Sequence, residues 1–316
     1  MYYLGIDLGG TNIAVGLVDE NGKILNTKSV PTMAQREDKE IIKDMADTCL
    51  DLIKEENLSL DDIQSIGVGC PGSIDSENGV VVYANNLNME NSHVGQMLSD
   101  FFGGKKVYVE NDANVAAYGE YYINGNNSES FVFITLGTGV GGGVIINGNI
   151  YRGFNGAGAE LGHIIICMNG EQCTCGNRGC WEAYASVTAL VRQTKEAMEK
   201  NPDSMMIKLA EEKGVVNGRT AFECAKMGDK AAMEVVEAYQ NYIAAGMVNI
   251  LNIFQPQKIL VGGGISKEGE YLLGPVRDIV YKCDYNKYMP KTVIETATLF
   301  NDAGIIGAAM LAKENL

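Results

Sequence analysis

A pattern of strands and glycine turns opens this chain and returns in its second half. Residues 2–7 and 12–19 read as strands joined by the turn DLGGTN, and residues 131–137 and 142–148 read as strands around LGTGVGGG. Alternating helices and strands follow each pair, which is typical of α/β architecture. The sequence therefore predicts an α/β fold with a duplicated unit, in two lobes that face each other across a central cleft.

The apolar spacing locates the remaining elements. It predicts helices at residues 37–56, 181–200, 203–213, 220–227, 229–253, near 268–282 and from 303 onward, and a short amphipathic segment at 93–102. Further strands are predicted at residues 23–30, 66–69, 107–110, 149–153, 258–264 and 292–297. We assign residues 1–112 and 301–316 to a smaller N-terminal lobe, and residues 113–300 to a larger lobe.

Charge and targeting signals exclude several classes of function. The chain has 316 residues and a formal net charge of −15, which disfavours binding to nucleic acid or to an acidic membrane surface. It has no secretory signal pattern and no apolar run of membrane-spanning length, so we expect a cytoplasmic protein. A phosphate ligand is still possible, because backbone N–H groups can hold it without Lys or Arg.

The stretch HIIICMNGEQCTCGNRGC brings one imidazole and a Cys-x-Cys-x₄-Cys set of three thiols within eighteen residues. His163, Cys173, Cys175 and Cys180 form a set that suits tetrahedral zinc. Four protein ligands leave no position for a catalytic water, so the predicted metal is structural. The other five of the eight cysteines have no regular spacing, which indicates free thiols rather than a disulfide framework.

The glycine turns are candidates for phosphate binding, although a plain hairpin turn is the alternative for the first. In DLGGTN, Gly9 and Gly10 allow close backbone approach and Thr11 offers a hydroxyl. The second turn contains a formal G-x-G-x-x-G match, but a strand follows it where the dinucleotide motif requires a helix. A third run, Gly262–Gly264, offers a flat surface for adenine or ribose, or is simply a tight strand-to-helix turn.

A carboxylate follows the strand at residues 107–110. Asp112 stands where a helix begins, so it is either an N-cap or a base that projects into the cleft and accepts a hydroxyl proton. Cys70-Pro71-Gly72 ends the strand before it and reads as a chain reversal.

In order along the chain, these motifs resemble the ROK family of sugar kinases and sugar-responsive repressors. The resemblance rests on DLGGTN, ENDAN, TLGTGVGGG, ELGH with CTCGNRGCWE, and VGGG, and it covers nearly the whole chain. Within the family, the sequence is most similar to the bacterial glucokinases. The resemblance implies a two-lobed actin-like ATPase fold (ribonuclease H-like), in which a hexose and ATP·Mg²⁺ meet in the cleft.

The resemblance also implies roles for individual residues. Asp112 corresponds to the catalytic base, which takes the proton of the sugar 6-hydroxyl as that oxygen attacks the γ-phosphate. The implied sugar-binding residues are Gly72, Asn86, Asn111, Asp112, Glu160, His163 and Glu182. The implied nucleotide-binding residues are Asp7, Gly9, Gly10, Thr11 and Asn12, then Thr135, Gly137, Thr138 and Gly139, and finally Gly262, Gly263 and Gly264. Zinc, Mg²⁺ and ATP are the implied cofactors, and a homodimer is the implied assembly.

Several alternatives stay open. Relatives that phosphorylate fructose, N-acetylmannosamine or other hexoses share these motifs, and the phosphoryl donor could be polyphosphate. A sugar-sensing repressor is disfavoured, because the first glycine turn begins at Asp7 with no helix-turn-helix before it and the chain is acidic. Trp181 stands where many relatives carry a smaller aliphatic residue, and we expect it to pack under the zinc loop.

Overall fold

The computed structural model describes residues 1–125 and 128–316. Its strands are β1 Tyr2–Leu8, β2 Asn12–Asp19, β3 Ile24–Pro31, β4 Ile63–Cys70, β5 Ser73–Asp75, β6 Val80–Ala84, β7 Met89–Ser92, β8 Val107–Asn111, β9 Ser130–Leu136, β10 Val140–Ile146, β11 Asn149–Ile150, β12 Lys258–Gly262 and β13 Val293–Thr296. Its α-helices are α1 Asp38–Glu55, α2 Val94–Phe101, α3 Asp112–Asn124, α4 Glu182–Ala185, α5 Val187–Lys200, α6 Met205–Lys213, α7 Thr220–Lys226, α8 Lys230–Phe254, α9 Glu270–Cys283 and α10 Asp302–Glu314. Short 3₁₀ helices cover Leu60–Asp62, Leu161–His163 and Gly264–Glu268.

The two large sheets have the same strand order. The first is β3-β2-β1-β4-β8 and the second is β11-β10-β9-β12-β13, with a small third sheet β5-β6-β7. Both large sheets combine antiparallel and parallel pairs. In the first, β1 pairs antiparallel with β2 and parallel with β4; in the second, β10 pairs antiparallel with β11 and β12 pairs parallel with β13. The duplicated α/β unit predicted from the sequence is confirmed by this topology.

The chain divides into two compact units. Unit 1 comprises residues 1–133, 143–159 and 299–316, and unit 2 comprises residues 134–142 and 160–298. The predicted lobe boundary after residue 112 differs from this division, because helix α3 packs closely on α10 within unit 1. A Cβ at Gly307 of α10 would lie only 1.8 Å from the carbonyl oxygen of Val115, so the two helix backbones are nearly in contact.

A row of glycines lets α10 lie directly on the first sheet. Gly5 of β1 pairs with Gly16 of β2 and with Gly67 of β4, so three strands lack a side chain at the same level. A Cβ at Gly5 or at Gly67 would lie 1.9 Å from a backbone carbonyl oxygen of α10. Any larger residue would therefore push the helix off the sheet. This contact brings the last helix of the chain into unit 1.

One predicted helix is interrupted. Residues 181–200 were expected to form a single helix, but α4 ends at Ala185 and α5 begins at Val187. Ser186 between them has an extended backbone, and its hydroxyl accepts a hydrogen bond of 3.0 Å from the N–H of Ala189. A serine that caps a new helix in this way favours a break over continuation.

Helix α8 forms much of the core of unit 2. It runs for 25 residues, and the carboxylate of Asp229 caps its N-terminus by accepting from the N–H of Ala232. The fully buried indole of Trp181 packs against Gly246 of this helix and donates a 2.8 Å hydrogen bond to the carbonyl oxygen of Tyr242. Among the described residues, neither α8 nor any other helix is long and apolar enough to cross a bilayer.

Candidate functional site

In unit 1, acidic residues lie at the carboxyl ends of three parallel strands. Strands β1, β4 and β8 run parallel, with Asp7 paired to Gly69 and Cys70 paired to Asn111. Because the ends of parallel strands share one edge of the sheet, Asp7 at the end of β1 and Asp112 just after β8 lie at the same edge. This edge is where ligands bind in many α/β proteins.

Asn111 fixes the start of helix α3. Its side-chain oxygen accepts from the N–H groups of Ala113 and Asn114 at 3.0 and 3.2 Å, and so it is the N-cap. Its amide nitrogen donates to the carbonyl oxygen of Gly72 at 3.2 Å. Asp112 is therefore the first residue of the helix and not its cap, and its half-buried carboxylate accepts from the N–H of Ala113 at 2.8 Å.

The two carboxylates at this edge hold protons more tightly than ordinary aspartates. Burial, and then the charge of Asp112, raise the pKa of Asp7 to about 6. Burial also raises the pKa of Asp112, against the opposing effect of the hydrogen bond from Ala113. A carboxylate with a raised pKa is a better proton acceptor near neutral pH, so Asp112 has the character of a general base.

The first glycine turn is held rigidly. The N–H of Gly9 donates to the carbonyl oxygen of Asn12 at 2.9 Å, and the hydroxyl of buried Thr32 donates to the carbonyl oxygen of Gly9 at 2.6 Å. The Asn86 amide lies over Gly10, where a Cβ would be 3.3 Å from its nitrogen. Thr11 and Asn12 are exposed. The turn therefore presents backbone and hydroxyl groups, with the predicted sugar ligand Asn86 lying on the turn itself.

In unit 2, the four predicted metal ligands converge. One ligand atom from each of His163, Cys173, Cys175 and Cys180 lies within 4.8 Å of all the others. Cys175 Sγ and Cys180 Sγ are 3.6 Å apart, and His163 Nδ1 is 3.7 Å from Cys173 Sγ. Tetrahedral zinc with bonds of about 2.0–2.3 Å places its ligand atoms about 3.5–3.8 Å apart, which matches these two separations, and three thiols with one imidazole are a donor set that suits the ion.

Glycines shape the loop that carries these ligands. Gly179 has φ +84°, and a Cβ there would lie 1.7 Å from the carbonyl oxygen of Cys167. Gly176 has φ +93° and donates its N–H to the carbonyl oxygen of Cys173. Both positions need the conformations that glycine adopts without strain. These tight turns bring the cysteine thiols of the loop close together.

Glu182 connects the metal cluster to the second glycine turn. Its Oε2 accepts from the N–H of Val140 at 3.0 Å, and its Oε1 lies 3.6 Å from Cys173 Sγ. A Cβ at Gly139 would lie 2.3 Å from the same Oε2, so the carboxylate occupies the space above the glycine. Glu160 is exposed and precedes the 3₁₀ turn that carries His163.

The same unit brings two of the predicted nucleotide loops together. A Cβ at Gly263 would lie 2.2 Å from the carbonyl oxygen of Leu136, at the end of the strand that carries Thr135. The carbonyl oxygen of Gly137 accepts from the N–H of Val187, and that of Thr138 accepts from the hydroxyl of Thr188. Gly262 ends β12.

A cavity of about 270 Å³ lies beside these loops, lined by Val187, Asn217, Gly218, Arg219, Gly264 and Ile265. The sequence prediction had found Gly264 but not Asn217 or Arg219. These two lie in an irregular segment before α7, and no periodic or motif signal marks them. A cavity with an amide and a guanidinium beside a glycine surface suits a nucleotide.

Glu110 is a further residue that the prediction assigned no role. It is 2% exposed, yet it carries a carboxylate and forms an ion pair with Arg152. A buried carboxylate immediately before Asn111 and Asp112 is the signal that could have identified it, because charged groups are seldom buried without a purpose.

Comparisons with known proteins agree with this arrangement. The sequence matches the ROK family over residues 3–315. It is 38% identical to the glucokinase of Thermotoga maritima, over 99% of this chain and 98% of that protein. It is 30% identical to the xylose repressor of Bacillus spizizenii, over 99% of this chain but 77% of the repressor.

A solved structure supports the same assignment. The ROK glucokinase of Streptomyces griseus, in complex with glucose and AMPPNP, superposes with a TM-score of 0.81 at 34% identity, and the match covers 99% of this chain and 100% of that chain. The fold is therefore the two-lobed actin-like ATPase fold of the ROK sugar kinases, as the sequence predicted. From the family match, the identity to its members and the shared fold, we conclude that this chain belongs to the ROK family.

Proposed function

We propose that this protein is an ATP-dependent hexokinase that phosphorylates glucose at its 6-hydroxyl. The observation that carries the proposal is the half-buried Asp112, which the cap of α3 holds at the edge of the first sheet and whose pKa is raised by burial. The choice of glucose as substrate rests on the glucokinase relatives. One is 38% identical over nearly its full length, and another binds glucose and AMPPNP.

In this proposal, Asp112 accepts the proton of the 6-hydroxyl while that oxygen attacks the γ-phosphate. Phosphoryl transfer depends on positioning and on charge neutralisation more than on covalent help from the protein, so one aligned base suffices. Asn111, Gly72 and Asn86 contribute polar groups on the same unit, and Asn111 already bonds to Gly72.

Glu160, His163 and Glu182 bind further sugar hydroxyls. Sugar hydroxyls both donate and accept hydrogen bonds, so carboxylates and an imidazole recognise them well. A hydroxyl left without a hydrogen-bond partner in a closed site costs binding free energy. Nδ1 of His163 faces Cys173, which leaves Nε2 as the ring atom for the sugar. Zinc bound by His163 and the three cysteines supplies structure, because four protein ligands leave it no open position.

The nucleotide is assigned to the glycine turns. Residues Gly9–Asn12 and Gly137–Gly139 provide backbone N–H groups and hydroxyls for phosphates, and Gly262–Gly264 with the adjoining cavity receives the adenosine. Asp7 is suited to hold Mg²⁺ through water, and the ion would neutralise phosphate charge. The assembly is proposed to be a homodimer.

A different hexose is the nearest alternative, since N-acetylmannosamine and fructose kinases use the same residue types. A sugar-responsive repressor is the alternative from another class, supported by the 30% identity to a xylose repressor. A coupled kinase assay distinguishes these functions. It uses the intact chain, a panel of hexoses, and ATP or polyphosphate as the phosphoryl donor. We expect the highest kcat/KM for glucose with ATP. A much higher kcat/KM with another sugar or donor would show that glucose or ATP is the wrong assignment. Specific DNA binding without ATP turnover would show that the protein is a repressor and not a kinase.

A further inference from the structure

A buried carboxylate lies directly behind the proposed base. Glu110 is 2% exposed, and both of its oxygens are used. Oε1 accepts from the N–H of Asn111 at 2.9 Å and from the side-chain amide of Asn114 at 3.0 Å. Oε2 accepts from the hydroxyl of Ser76 at 3.0 Å and from Nε of Arg152. Four donors on one carboxylate make a fixed anchor, because a buried charge is stable only when it is fully paired.

This anchor constrains the first turn of α3. Asn111 and Asn114, which flank Asp112, are both tied to the same oxygen of Glu110. Asn111 in turn caps the helix through its own side chain. A displacement of the backbone at Asp112 would have to break these bonds together, so Glu110 fixes the backbone from which the base projects.

Arg152 connects this anchor to a second segment of unit 1. Its carbonyl oxygen accepts from the N–H of Gly158 at 2.9 Å and closes a loop in which Gly153 and Gly156 have positive φ. Arg152 is 38% exposed at its side chain, and it lines a cavity of about 770 Å³ together with Glu110 and Tyr108. The guanidinium holds Glu110 through Oε2, whereas the first turn of α3 holds it through Oε1.

We propose that Glu110 is a positioning residue for phosphoryl transfer: held by Arg152, it fixes the first turn of α3 and thereby the orientation of the base Asp112. This inference rests on the proposed function. Neither Glu110 nor Arg152 needs to contact sugar or nucleotide. Loss of the anchor should therefore lower kcat far more than it changes the KM for ATP, because a misdirected base affects the chemical step.

Three single variants and one double variant of the intact protein test this role in steady-state kinetics with glucose and ATP. In Glu110→Gln the side chain keeps its shape but presents an amide to Arg152, and we expect kcat to fall on the order of tenfold or more at nearly unchanged KM for ATP. Arg152→Met should also lower kcat, whereas Arg152→Lys, which keeps the positive charge and N–H donors, should retain most of it. If Arg152 acts through Glu110, the double variant Glu110→Gln/Arg152→Met should be no worse than Glu110→Gln alone.

A matched control separates positioning from stability. Asp284 is also 2% exposed and is paired with a half-exposed Lys291 at 2.7 Å, within unit 2. Asp284→Asn should lower the Tm and leave kcat per folded molecule unchanged. The same behaviour in Glu110→Gln would overturn the proposal, and should that variant fail to fold, an unchanged kcat in Arg152→Met would overturn it. A wild-type protein that phosphorylates no hexose would instead overturn the proposed function, and this inference with it.

Discussion

The backbone N–H of Val140 donates a 3.0 Å hydrogen bond to Oε2 of Glu182. Val140 lies in the second glycine turn, where β10 begins, and Glu182 stands two residues after Cys180 of the metal cluster. Two motifs that are separate in the sequence are thus one structure, in which the turn that we assign to phosphate also orients a carboxylate that we assign to sugar.

Gly139→Ala should weaken sugar binding through this contact. The added Cβ would lie 2.3 Å from Glu182 Oε2, so the carboxylate must move and lose its bond to Val140. Loss of one hydrogen bond to a charged group corresponds to about a tenfold or greater rise in the KM for glucose. Steady-state kinetics measure the change. Gly274→Ala in helix α9 is the control, since its nearest neighbour is at 3.7 Å; equal KM values in the two variants would contradict the prediction.

Asp112→Asn should remove the proposed base and leave the site otherwise intact. Asparagine keeps the shape of the side chain but accepts a proton poorly, and general-base catalysis contributes about 10²–10⁴-fold to rates. We expect kcat to fall by that order, while the Kd for glucose measured by calorimetry changes little. Asp61→Asn, at an exposed aspartate of the same unit, serves as the control. A wild-type kcat in Asp112→Asn would remove Asp112 from the role of base.

The pH dependence of kcat/KM should reflect the two raised aspartate pKa values. Only the ionised base can accept a proton, so activity is present above its pKa and disappears as the pH falls through it. Burial raises the pKa of Asp112, and Asp7 beside it has a pKa of about 6. We therefore expect the acid limb of the free enzyme to lie above the ordinary aspartate range. A profile that stays flat down to the ordinary range, in protein that remains folded by circular dichroism, is the result that this prediction does not allow.

Cys175→Ser should release zinc and weaken glucose binding. Cys175 Sγ lies 3.6 Å from Cys180 Sγ, and serine is a poor substitute for a thiolate ligand. Because His163 belongs both to the metal set and to the proposed sugar ligands, we expect a Kd for glucose about tenfold higher or more. Metal analysis, calorimetry and the emission of the single Trp181 measure the effect. Cys283→Ser, at an exposed thiol outside the cluster, is the control; unchanged glucose affinity in a zinc-free Cys175→Ser protein would disprove the coupling.

Local patterns predicted much of the site. Strand and turn signals predicted both hairpins because β-propensity and glycine conformations act over a few neighbouring residues. The candidate metal ligands could be predicted from the sequence because they are close along the chain and the loop between them is short. Glu110 belongs to the ENDAN motif, but its pairing with Arg152 could not be predicted, since 42 residues separate the two and Arg152 belongs to none of the motifs.

The sequence by itself determined the duplicated α/β architecture, the family and the chemical nature of the candidate groups. Only the tertiary structure decided which groups touch: Asn111 capping α3, Glu182 lying over Gly139, and Arg152 holding Glu110. It also decided that α10 belongs with the first sheet, where Gly5 and Gly67 leave room for it. The physical reason is the separation along the chain over which each effect acts. Backbone propensity is set by adjacent residues, whereas the burial and pairing of polar groups depend on chain segments that meet only after the protein has folded.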